Sequence, residues 1–135
     1  MRRHRLAVAV AVLSLLAACG DDGAEEDAGP PALPADASPA ALRGEALAVE
    51  HRCTTCHDGD SRAAEGPSWV GLAGSERTLT DGRAVVADTE YLVRAIVDPR
   101  ADVVEGYPAI MGSFAFLEDD EVSDLVAYIE ALTDE

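Results

Sequence analysis

Cys53, Cys56 and His57 lie within five positions of one another in the run Cys53-Thr54-Thr55-Cys56-His57. Two residues between the thiols set them about one helical turn apart, which matches the two vinyl groups on one edge of a porphyrin. The imidazole that follows then falls beneath the metal, and this C-x-x-C-H pattern is the attachment signature for c-type haem. Thioether bonds would make the haem a covalent part of the core, with one ring nitrogen of His57 as proximal ligand. Two other chemistries compete. A zinc site needs four ligands and would find only His51 and acids besides these residues. A redox-active dithiol wants a βαβ unit, which the flanking sequence does not supply.

A haem iron with one histidine needs a second axial ligand. Met111 is the only methionine besides Met1, and the histidines are His4, His51 and His57 alone. His51 lies two residues before Cys53, on the attachment side, where it cannot reach the opposite face of a porphyrin. Met111 is therefore the remaining strong candidate, and a thioether ligand raises the reduction potential relative to two histidines. The competing reading of Met111 is a core or surface methionine beside a Pro/Gly loop.

These residues must be positioned by mostly helical elements. Residues 39–52 (PAALRGEALAVEHR) are helix-forming, with Leu42, Leu47 and Val49 apolar and the cysteine motif at their end. Gly66-Pro67 opens a loop. Thr78 to Val86 alternates around Asp81-Gly82, which predicts a hairpin with a tight turn. Asp88 can cap a helix through Tyr91, Leu92, Ala95 and Ile96 that Asp98-Pro99 stops. A last helix carries Val122, Leu125, Val126, Ile129 and Leu132 as one apolar stripe.

The 135 residues leave room for one domain of ordinary size, and only 4% are aromatic, so side chains alone would make a thin core. The net charge is −16, with no lysine at all. Nucleic-acid binding through phosphate neutralisation is excluded, and attraction to anionic lipid is disfavoured.

The N-terminus reads as an export signal, with Arg2, Arg3 and Arg5 ahead of the apolar run 6–16. That run is too short to span a bilayer as a helix. Leu16-Ala17-Ala18-Cys19 resembles the lipobox of bacterial lipoproteins, which implies cleavage before Cys19 and a lipid on its thiol; an ordinary signal with an incidental cysteine is the alternative. Removing residues 1–18 deletes three Arg and no acid, which takes the net charge from −16 to −19. Residues 19–40 are acidic and Pro/Ala-rich and read as a disordered tether, with a reach of roughly 25 Å.

Residues from about 41 to 135 resemble the monohaem class I cytochrome c fold. The stretch from Gly66 to Glu130 is most similar to the cytochrome c domain of cytochrome c oxidase subunit II. The resemblance rests on Gly66-Pro67-Ser68-Trp69-Val70-Gly71-Leu72, the hairpin, Glu90-Tyr91-Leu92, Asp98-Pro99, Val104-Glu105-Gly106-Tyr107-Pro108 with Met111, and Leu125-Val126-Ala127-Tyr128-Ile129. It implies an all-α fold of three to four helices around one covalent haem c, with a small hairpin insertion near 78–86. The chain would be a free-standing relative, since neither a copper-binding domain nor a two-helix anchor precedes the match.

The resemblance also implies that the Pro67 carbonyl engages the other nitrogen of His57, and that Gly44 lets the first helix cross close to Tyr128. Three positions depart from the pattern: Ala48 where a larger aromatic is common, Gly112 where Pro is usual, and Glu118 where Ser, Thr or Asp caps the last helix. They imply weaker interhelical packing, a looser methionine loop, and a poorly capped helix unless Asp119 takes over.

The expected domains are a cleaved signal at 1–18, a lipidated Cys19 with its tether to 40, and the haem domain at 41–135. The expected function is a membrane-tethered one-electron carrier on the periplasmic or extracytoplasmic side. It would work in a respiratory chain through a haem ligated by His57 and Met111, with no substrate site and so no enzymatic activity of its own. Its partners would be redox proteins, a respiratory donor and a terminal oxidase or similar acceptor. A haem c subunit of a larger oxidase or dehydrogenase is the alternative, and a gas or redox sensor a third reading. The uncharged loop Tyr107–Gly112 is expected to flank the exposed haem edge and to favour apolar docking over charge steering.

Overall fold

The Ser38 hydroxyl accepts from the Ala41 N–H at 3.1 Å and starts a helix with Pro39 at its first position, where a missing N–H costs nothing. The structure, a computed structural model, describes residues 30–57 and 65–133. The expected signal peptide, Cys19 and residues 20–29 lie outside the described residues. Four helices are described: α1 (Pro39–Glu50), α2 (Thr54–His57), α3 (Thr89–Val97) and α4 (Asp119–Ala131). A two-stranded antiparallel sheet, β1 (Glu76–Thr78) and β2 (Ala84–Val86), stands between α2 and α3. The all-α class with one small hairpin is thus the observed fold. Among the described residues no helix is long and apolar enough to cross a membrane.

Helices α1 and α4 form the main interhelical contact. The buried face of α1 is Ala41, Gly44 and Ala48, while Leu42 is 52% and Val49 51% exposed. Small residues face inward because the helices cross at close range. A Cβ at Gly44 would run into the Asp124 carbonyl of α4 and come 2.8 Å from Tyr128 Cβ. Ala48 is fully buried at this crossing, so its small size fits the approach rather than loosening it. Arg43 clasps the Asp124 carboxylate with Nε at 2.6 Å and a terminal nitrogen at 2.7 Å. The α4 stripe of Val122, Leu125, Val126 and Ile129 is buried as its spacing predicts, and so is Leu132.

Capping of α4 differs from expectation. Glu118 is its N-cap, and the side chain that answers is that of Glu121, whose Oε2 accepts from the Glu118 N–H at 2.9 Å. A glutamate three residues into a helix reaches back to the cap, a role Asp119 is too close to play. Asp88 caps α3 as expected, accepting from the Tyr91 N–H at 2.8 Å.

The hairpin pairs Glu76 with Val86, Arg77 with Val85 and Thr78 with Ala84. Its loop is three residues rather than a two-residue turn: Leu79 N–H donates to the Arg83 carbonyl, and Gly82 takes φ +85°. That left-handed position is the one such a loop reserves for glycine. The segment 103–105 adds to the open edge of β1, with Thr80 N–H donating to Val103 and Glu105 N–H to Thr78, both at 2.8 Å. Beyond Met111, Phe114 N–H donates to the Ile96 carbonyl at the end of α3. The loop carrying Met111 is therefore tied at both ends.

Residues 30–40 are the described part of the expected tether; Pro39 and Ala40 already belong to α1, and two earlier residues touch the domain. Leu33 packs on the core, and the Tyr128 hydroxyl donates to the Pro31 carbonyl at 3.0 Å. A phenol buried this deeply needs an acceptor.

Candidate functional site

The left-handed Arg52 (φ 56°) ends the first helix and turns the chain into α2, the single helical turn that carries the cysteine motif. Cys53 N–H donates to the Ala48 carbonyl and His57 N–H to the Cys53 carbonyl, so the motif is wound onto the end of α1. No disulfide joins Cys53 to Cys56. Burial pushes the Cys53 thiol above its ordinary value, so it is a neutral thiol at neutral pH. Cys56 Sγ donates to Glu65 Oε2 at 3.2 Å.

His57 is only 9% exposed. Its Nδ1 lies 2.7 Å from the Pro67 carbonyl. A carbonyl can only accept, so Nδ1 carries the proton and the lone pair sits on Nε2. The arrangement implied for Pro67 is the one observed. Gly66 presses on the ring: a Cβ there would overlap Cε1 and lie 2.8 Å from Nδ1. The indole of Trp69 stacks on the imidazole with centroids 5.0 Å apart and planes 15° from parallel.

Cys53, Cys56, His57, Pro67 and Met111 all line one cavity of about 310 Å³. The five predicted residues within the described chain are therefore brought together, and Cys19 lies outside it. The rest of the lining is largely apolar, with Tyr91 and Ile96 from α3 and Ile110 from the methionine loop. The donor set fits a covalent porphyrin: two thiols one turn apart, an imidazole oriented through Nδ1, and a thioether, around an apolar space in a core poor in aromatics. Among the described residues, no group of three or more His, Cys, Asp and Glu side chains could hold a metal ion on its own.

Sequence reasoning overlooked three parts of the site. Trp69 stands in the run 66–72 that carries the family resemblance, but nothing in its spacing assigns it a contact with His57. Gly66 reads from the sequence as a loop opener, and only the structure shows it as the wall beside His57. Asp102 is in the cavity wall with its side chain 6% exposed, gripped by Arg94 Nε at 2.7 Å and Arg83 at 2.8 Å. These guanidinium hydrogen bonds, Arg94's foremost, hold its carboxyl below the usual carboxylate range. His51, on the attachment side as its position predicts, is half-buried at the cavity rim, with Phe114 and Phe116 edge-on at 5.9 and 5.8 Å.

A comparison with protein families matches residues 41–133 to the family described as Cytochrome c. A comparison with curated proteins finds no match.

Proposed function

The chain belongs to the cytochrome c family, and from that membership we propose that it is a single-haem electron carrier ligated by His57 and Met111, tethered to a membrane and serving a respiratory chain. The family carries electrons on covalently bound haem c, and the C-x-x-C-H motif at Cys53, Cys56 and His57 is its attachment signature. The observation that carries the finer reading is the convergence of Cys53, Cys56, a Pro67-oriented His57 and Met111 on one cavity.

When bound, the haem supplies the one-electron couple of its iron. The residues of the chain do the rest. Cys53 and Cys56 would hold the group through their thiols, and the Pro67 carbonyl fixes the His57 tautomer with the lone pair on Nε2. Met111 offers a soft thioether that favours the reduced state. The largely apolar lining excludes water and keeps reorganisation on electron exchange small. With His57 and Met111 both taken up in holding the haem, the cavity would leave no place for a substrate, which favours a carrier over an enzyme.

Resemblance of the chain to the cytochrome c domain of oxidase subunit II supports a respiratory partner. The exposed, uncharged residues Pro108, Ala109 and Ile110 beside the cavity support docking by apolar contact. Export and lipidation at Cys19 rest on the sequence signal, with 1–18 as the cleaved part and the tether leading to the domain. Cys19→Ser should then move the protein out of the membrane fraction.

Acid and organic extraction of the denatured holoprotein tests the reading. Haem should stay with the polypeptide, and Cys56→Ala should abolish or weaken its attachment; haem that extracts cleanly refutes it. Purification from native membranes distinguishes the two readings: a carrier comes away as a free single-haem protein, whereas a subunit of a larger oxidase or dehydrogenase co-purifies with its turnover.

A further inference from the structure

We propose that Trp69 is a positioning residue for the His57 imidazole, fixing the rotation of its plane and through it the electronic state of the ligated iron. The proposal rests on the reading of His57 as the proximal ligand. One hydrogen bond from Nδ1 to the Pro67 carbonyl fixes which nitrogen is protonated, yet a ring can still swing about the axis through that contact. Two further contacts remove the swing. Gly66 closes one edge, where no side chain can stand. Trp69 covers a face, at 5.0 Å and 15° from parallel.

The indole is itself immobilised. It is 5% exposed, and Tyr128 meets it edge-on at 5.8 Å and 87°. Tyr128 in turn is fully buried, pinned by the α1 crossing at Gly44 and by its hydroxyl bond to Pro31. A rigid column thus runs from the helix crossing through Tyr128 and Trp69 to His57. A residue held from behind in this way imposes an orientation on its neighbour instead of adapting to it. The imidazole plane sets how the iron d orbitals split, so a change of orientation is read spectroscopically in the oxidised holoprotein.

The test compares wild type, Trp69→Phe and Trp69→Leu holoproteins by proton NMR of the oxidised state and by redox titration. Phenylalanine can keep the stack and should keep the wild-type order of haem-methyl resonances. Leucine should leave haem covalently bound while reordering those resonances and shifting the potential. A leucine variant with wild-type resonances and potential overturns the proposal, whatever its loss of thermal stability. If the leucine variant does not mature, the reduced wild-type protein decides: cross-relaxation between Trp69 indole and His57 ring protons is expected, and its absence overturns the proposal. Wild-type protein lacking covalent haem or a His57 ligand would instead bring down the functional reading beneath it.

Discussion

Gly66 lies so close to the His57 imidazole that a Cβ on it would stand 2.8 Å from Nδ1 and 2.9 Å from Nε2. The glycine is needed for space, because its neighbour Pro67 must bring a carbonyl to Nδ1 in the same turn of chain. Gly66→Ala is therefore expected to displace the ring or Pro67. Mature holoprotein should fall several-fold, and what forms should show a weakened His57 ligand by absorption spectroscopy. Wild-type yield and spectra would show that the loop yields without cost.

Met111→Ala should keep the covalent haem and open the sixth position. The potential should drop, and carbon monoxide or cyanide should bind far more readily. An unchanged potential and spectrum would remove Met111 from the ligand set.

Gly44→Ala tests the helix crossing on which the site is built. Its Cβ would enter the Asp124 carbonyl, and overpacking of this kind costs about 1–3 kcal/mol. Chemical denaturation should show that loss. A variant as stable as wild type would mean that α1 and α4 can separate freely, contrary to the fully buried Ala48 and Tyr128 beside them.

Asp102 gives the domain an acid-sensitive joint. Its carboxyl is held low by Arg94 and Arg83, so the folded state binds its proton more weakly than the unfolded chain does. The stabilisation is complete above the ordinary carboxylate value of about 3.9 and is lost as pH falls through the lowered folded value. Asp102→Asn should lower Tm at pH 7 on the order of 5 °C, with the gap to wild type closing as the pH is taken toward that folded value. A gap that persists unchanged through acid would show that the Arg contacts contribute nothing through charge.

The sequence by itself determined whatever depends on neighbours along the chain. The spacing of Cys53, Cys56 and His57 is the length of one helical turn, and the α4 stripe and the Asp88 cap are also set by residues three or four positions apart. Such relations survive in any fold that lets the segment be helical. The tertiary structure decided what depends on distant packing. Leu42 and Val49 are apolar enough to have been core, yet the close approach of α4 turned Ala41, Gly44 and Ala48 inward instead. Pro31 meets Tyr128 across 97 residues, and Asp102 gathers one Arg from the hairpin loop and one from α3. The stacking of Trp69 on His57 belongs to the same class, because an indole in a loop can turn many ways until Tyr128 closes the space behind it. Local spacing encodes which groups can act as a unit, whereas the faces they present are settled only when separate elements compete for the same volume.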